Sequence, residues 1–282
     1  GTWDSDSVNP PACGASGNFG TMRPVGDLYL FNGESSQGNW YFRVADVTTG
    51  RDGTLNSFQI QICYITSITE SPNACGVITT TWNGTSWSNG VPIKNVAAII
   101  NGDYTSTADL EACSLTIGSG ANVVINSGHT LTITNEVNVA AGGSLTVNNN
   151  AALKQINGDA SNTGNIVVKR NSAPMIRLDY TAWASPVIGQ QLLAFSPNTI
   201  TTRFYEYLYT GTTTPTAYQS VNPTTNFATG KGYMIRVDNN WSATTAASYN
   251  GQFTGVPFNG NLTVGLGKGY NLLGNPYASP ID

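Results

Sequence analysis

Charge is scarce in this chain. Of its 282 residues, 12 are Lys or Arg and 16 are Asp or Glu, so 10% carry charge, against roughly 25% in an ordinary soluble domain. With a net charge of −4 and no run of one sign, the chain lacks the basic stripe that neutralises phosphates. Nucleic acid and anionic membrane are therefore not expected partners. Long apolar runs are also missing: nothing approaches the roughly 20 residues of a membrane-crossing helix, and no transmembrane segment is expected. Gly1-Thr2-Trp3 is not a charged segment leading into an apolar one, so the expectation is a soluble chain already freed of any signal peptide. Histidine occurs once, at His129, and the four cysteines are too widely spaced for a paired CxxC knuckle, which argues against a zinc site of the usual kind.

Small uncharged polar residues take the place of charge: 35 Thr, 31 Asn, 23 Ser and 31 Gly. Strand and turn formers dominate, and no apolar period of 3.6 residues is sustained, so the fold class is expected to be all-β. The cysteines, Cys13, Cys63, Cys75 and Cys113, are read as disulfides. Three pairings exist, and the module boundaries below favour Cys13 with Cys63 and Cys75 with Cys113. Each closes a loop worth about 4 kcal/mol on the chain-entropy model. Bridges of this kind imply an oxidising, extracellular or cell-surface location.

Three modules are expected along the chain: residues 1–66, 67–170 and 171–282. The first ends in an alternating run, Trp40 to Asp46, a Gly- and Asp-bearing turn from Thr49 to Gly53, and a second strand signal from Leu55 to Cys63. The middle module carries a repeat. Apolar pairs fall at Leu115/Ile117, Val123/Ile125, Leu131/Ile133, Val137/Val139, Leu145/Val147 and Leu153/Gln155. Taken in triplets they recur every 22 residues (115 to 137, 123 to 145, 131 to 153), and Gly120, Gly142 and Gly164 keep the same step. Three short strands per period with Gly at a fixed corner predict a parallel β-helix of two to three coils, because each coil hides its apolar residues only by stacking on the next. An antiparallel meander is the alternative. Thr116, Thr132, Thr146 and Asn138 are expected to face outward.

Just before the repeat, Trp82 and Trp87 stand among turn residues. They are read either as a cap over the open end of the β-helix or as a flat platform for a sugar ring. From about Asn171 aromatics return among Gly and Pro turns, which predicts a β-sandwich, incomplete at its C-terminus. Gly230-Lys231-Gly232-Tyr233 and Gly267-Lys268-Gly269-Tyr270 are expected to start two strands 37 residues apart.

Two resemblances accompany these patterns. Arg23-Pro24, Phe31-Asn32-Gly33, Gly38-Asn39-Trp40, the Asp46 to Asp52 loop and Ile62-Cys63 resemble the C-terminal half of a proprotein-convertase P-domain. That resemblance implies a partial jelly-roll sandwich, an accessory role beside secreted proteases, and calcium. The phrases Thr81 to Pro92, Ala98 to Tyr104, Asp179 to Val187, Ser196 to Thr199 and Gly274 to Asp282 resemble secreted surface proteins of Bacteroidetes exported by the type IX secretion system, many of which act as adhesins or carry surface enzymes. The implied partners are the secretion and surface-anchoring machinery and an extracellular glycan or other surface polymer. The P-domain's opening strands are expected before Gly1 and a sorting domain after Asp282.

Chemistry is thinly supplied. A Ser-His-Asp triad would need His129, which is expected at a solvated repeat corner. Asp103, Asp109 and Glu111 are the nearest thing to paired carboxylates, while Asp159, Asp179 and Asp238 are scattered beside turns. No catalytic residue is assigned. For calcium, Asp46 and Asp52 with loop carbonyls, and Asp27 as a further ligand, supply the oxygens a hard cation needs. Asp6-Ser7-Val8 resembles a short O-glycosylation signal of the same bacterial group, with Ser7 as acceptor. The expected function is a non-catalytic adhesive or stalk-like part of a larger cell-surface protein. The alternatives are the accessory region of a secreted metalloprotease and a glycan-binding module.

Overall fold

A computed structural model describes residues 2–3, 21–22, 73–208, 218–267 and 269–281. The chain divides into two compact units, Gly1–Ile68 and Thr69–Asp282. In the first, β1 (Thr2–Trp3) pairs in parallel with β2 (Thr21–Met22). The Asp27, Asp46 and Asp52 calcium set, Cys13, Cys63 and Ser7 lie outside the described residues.

The second unit begins as a three-sided β-helix of about four turns, and the protein as a whole is nearly all β. One side stacks β3 (Thr79–Trp82), β4 (Ala97–Ile100), β7 (Leu115–Ile117) and β10 (Val137–Val139). A second stacks β5 (Tyr104–Thr105), β8 (Asn122–Ile125) and β11 (Ser144–Val147). The third stacks β6 (Leu110–Ala112), β9 (Thr130–Ile133) and β12 (Ala152–Gln155). Every neighbouring pair is parallel, which rules out the meander.

The register sets Leu115 on Val137, Val123 on Leu145 and Leu131 on Leu153, the 22-residue step read from the sequence. Alternate residues of each short strand point inward, so Ile117, Ile125, Leu131, Ile133, Leu145 and Val147 are fully buried. Each such side chain adds roughly 1.5–3 kcal/mol by leaving water. Thr116 is exposed, while Thr132, Thr146 and Asn138 face outward but are half-covered by the coils above and below. Gly120, Gly142 and Gly164 all adopt positive φ (81°, 83° and 79°) at the same corner, where a side chain would be strained. At Gly164 a Cβ would also collide with the Val139 carbonyl.

The β-helix is longer than the repeat predicted. Upstream of the regular coils, Ala98 sits on Leu115, Tyr104 on Val123 and Leu110 on Leu131, steps of 17, 19 and 21 residues. A corner shortened by a few residues leaves the strands stackable but breaks a fixed period.

β13 (Ile166–Met175) changes the architecture. On one side it is the next parallel neighbour of β11; on the other it pairs antiparallel with the long β19 (Ala247–Pro257), which in turn pairs with β15 (Val187–Ile188). The expected module boundary at residue 170 falls inside this strand. A second sheet follows the order β14 (Tyr180–Trp183), β18 (Tyr233–Arg236), β16 (Phe204–Tyr207) and β17 (Tyr218–Ser220), all antiparallel. Between the two sheets an aromatic core gathers around Phe253. Phe195, on the one-turn helix α1 (Leu192–Phe195), stacks on it at 4.3 Å between ring centroids, and Phe227 and Trp183 meet it at 5.6 and 6.0 Å. No helix among the described residues is long and apolar enough to cross a membrane.

The Gly267 to Tyr270 echo starts no strand among the described residues. Its neighbours Leu272 to Gly274 instead run antiparallel beside Gly230 to Gly232, through Gly232 N–H to Leu272 C=O and Gly274 N–H to Gly230 C=O. Farther on, Ala278 C=O accepts from Leu153 N–H and from Arg170 Nη2, so the C-terminal segment covers the last rung of the third side.

Candidate functional site

Of the four cysteines, the second pair is bridged. Cys75 and Cys113 form a disulfide with Cα atoms 5.4 Å apart, tying the entry segment to the buried corner between β6 and β7. Asn135 Nδ2 sits 3.4 Å and 3.3 Å from the two sulfurs and donates to Asn73 C=O, and its Oδ1 accepts from Asn157. The amide thus belongs to a hydrogen-bonded corner.

At the other end of the first coil, Trp82 and Trp87 meet as sequence neighbours rarely do, across an isolated antiparallel bridge. Their rings are 5.5 Å apart and tilted by 55°, and Tyr104 closes the group at 5.3 and 5.8 Å, edge to face. Trp82 Nε1–H donates to Asp103 C=O at 2.9 Å. All three rings are half-buried and lean on the aliphatic core. Burial also raises the Tyr104 phenol above the ordinary 10.0. Tyr104 was not singled out from the sequence, because its partners lie 17 and 22 residues before it.

The acidic residues at the helix entrance serve its corners. Asp103 Oδ1 accepts from Asn122 N–H, at the start of β8, and Asp109 Oδ1 accepts from Thr130 N–H, at the start of β9. Asp179 and Asp238 likewise accept from backbone N–H groups of their own turns. Among the described residues no three His, Cys, Asp or Glu side chains gather as metal ligands. His129 is half-buried rather than solvated. Its Nδ1 lies 2.8 Å from the hydroxyl of buried Ser106, which also accepts Asn126 N–H at 2.8 Å. This serine–histidine pair clamps a corner: a hydroxyl buried and already bonded to backbone is a poor nucleophile.

An open groove of about 660 Å³ runs along the second side where the β-helix passes into the antiparallel sheet. Its floor is the cross-strand pairs Lys169 with Gln252 and Asn171 with Asn250; its wall is Asn126, Ser127, Asn148 and Asn149 from two stacked corners. Asn149 Oδ1 accepts Asn171 N–H at 2.9 Å and so fixes the wall to the floor. Asn250 and Gln252 point outward on one strand face and are exposed. Each free amide offers one acceptor and two donors, a match for neighbouring sugar hydroxyls. Sequence reading missed the groove because its members come from four separate stretches. The one local clue was Asn-rich corners repeating at 126 and 148.

A family model matches residues 74–282, from just before the bridged Cys75 through β-helix and sheets alike. Its description is a domain of unknown function, DUF8693. The chain belongs to the DUF8693 family. No curated protein and no solved structure matches it. In this chain, the DUF8693 region holds the disulfide, the aromatic trio and the amide groove.

Proposed function

We propose that the DUF8693 region is a non-catalytic binding and spacer part of a large secreted cell-surface protein, one that adheres to an extracellular polysaccharide. The observation that supports it most is the amide-lined groove, built on a stiff parallel β-helix and offering amide and hydroxyl groups, beside the single charge of Lys169, over an open length. Neutral glycans suit such a surface, since their affinity comes from several amide–hydroxyl contacts rather than charge. The disulfide agrees with an extracellular setting. The resemblance to Bacteroidetes surface proteins adds the type IX route and surface anchoring to the proposal. Calcium held by Asp27, Asp46 and Asp52 would rigidify the first segment.

The test is binding of the full chain to a panel of neutral polysaccharides by affinity electrophoresis. Removing both exposed amides, Asn250→Ala with Gln252→Ala, is expected to weaken binding about thirtyfold, two lost hydrogen bonds each worth roughly 1 kcal/mol, at an unchanged melting temperature. Trp82→Ala with Trp87→Ala is expected to lower the melting temperature and leave binding intact, as a cap should. Lost binding at unchanged stability in the tryptophan variant would move the site to the platform. No retardation of the wild type by any member of the panel would leave only a spacer. Added calcium is expected to raise the melting temperature in the wild type and not in Asp46→Ala; an unresponsive wild type removes calcium from the account.

A further inference from the structure

The four-stranded sheet has two faces of opposite character. Trp183, Phe204, Tyr233 and Ile235 line the core. Alternation and register put Tyr180 opposite Arg236, and Tyr205 opposite Met234, on the outer face. Arg203, two residues before Tyr205, joins the same row, and its C=O accepts Arg236 N–H at 3.2 Å.

Two arginines therefore hold neighbouring positions on the outer face. Arg236 is only 6% exposed, yet among the described residues its Nε–H has no hydrogen-bond partner, and neither has that of Arg203. Their remaining bonds are neutral: Arg236 Nη2 to Asn239 Oδ1 at 3.1 Å and Arg203 Nη1 to Tyr205 OH at 3.0 Å. Among the described residues no carboxylate pairs with either, and the one ion pair joins Lys231 to Glu206 elsewhere on the sheet. Buried charge is costly unless a counter-charge meets it, so two adjacent cations without one form a spot of positive potential. The Arg203 hydrogen bond holds the Tyr205 phenol below the ordinary 10.0, as such a potential requires. Tyr180, 37% exposed, sets its ring edge-on to that of Tyr205 at 5.8 Å and gives the spot an apolar wall.

We propose that Arg203, Arg236, Tyr180 and Tyr205 form an anion subsite that takes the carboxylate of an acidic polysaccharide, the sugar ring resting against Tyr180. The proposal deepens the polymer-binding reading and rests on it. A guanidinium meets a carboxylate through paired N–H donors, which a lysine does not reproduce. Uronate units supply both the charge and a ring face for the tyrosine, in keeping with a molecule whose other binding surface is made of amides.

The experiment is calorimetric titration of the full chain with tetragalacturonate and with its fully methyl-esterified form, which keeps the sugar and loses the charge. The acid is expected to bind at least tenfold more tightly than the ester, with the gap closing as salt is raised. Arg203→Gln is expected to remove most of that gap without changing the melting temperature, and Arg203→Lys to restore only part of it. Since Arg236 is buried and its loss can unfold the sheet, Tyr180→Ala serves as the second variant, expected to weaken acid binding severalfold. Equal binding of acid and ester, or an Arg203→Gln chain as selective as the wild type, overturns the subsite. Charge-selective, Arg203-dependent binding with no affinity for neutral polymers overturns the amide groove and keeps the subsite. A sulfated glycan preferred over the uronate overturns the carboxylate assignment.

Discussion

The β-helix and the paired sheets solve the same burial problem with different residues. In the helix the interior is aliphatic, and like sits on like: Leu110 under Leu131 under Leu153, Val123 under Leu145. In the sheets it is aromatic, and Trp183, Phe195, Phe227 and Phe253 converge from positions up to 70 residues apart. A three-sided coil of two- to four-residue strands leaves room only for side chains that tile at one strand spacing, about 4.8 Å. Two sheets stand about 10 Å apart, a gap filled by interdigitating side chains, here mostly rings. The small side chains therefore mark where the chain repeats, and the rings mark where it closes.

The strongest challenge to this contrast is Phe253→Ala, which removes the centre of the ring cluster and is expected to cost about 3–5 kcal/mol in denaturant unfolding. Its near-ultraviolet circular dichroism should collapse as the ring packing loosens. Breaking the bridge with Cys75→Ser and Cys113→Ser is expected to cost about 4 kcal/mol, and to act on the helix end of the molecule. Leu131→Ala, in the middle of an aliphatic ladder, should cost about 2–4 kcal/mol. All three should shift one shared transition, because β13 belongs to both regions. Two separated transitions would mean that helix and sheets are independent bodies.

The smallest effect is on pH. Burial raises the phenols of Tyr104, beside Trp82 and Trp87 in the first coil, and Tyr249, beside the aromatic core. A raised folded value means that their share of stability is complete below the ordinary 10.0 and is lost as pH climbs through the folded value. Melting temperatures measured at about pH 8 and about pH 11 should therefore fall between the two, and fall less in Tyr104→Phe; an equal fall in that variant would place the effect on other groups.

Much of the β-helix was legible because its determinants are local and periodic. Leu115, Val137 and their neighbours alternate inside strands, and Gly120, Gly142 and Gly164 mark the corner that only positive φ can turn. The shorter first coils escaped the period. So did the corner bonds of Asp103 and Asp109, since a carboxylate facing a backbone N–H about 20 residues away leaves no mark in sequence spacing. The pairing of Cys75 with Cys113 followed from module boundaries alone.

Order along the chain thus dictated the strands, their inward residues and the step from coil to coil, because burial of alternate residues needs no distant partner to specify it. Tertiary structure decided the rest: that β13 turns a parallel stack into an antiparallel sheet, that four stretches meet as an amide groove, and that Arg203 and Arg236 lie side by side. Each of these depends on which strand edge is left free for the next strand to pair with, and that is settled only when the whole chain competes for it.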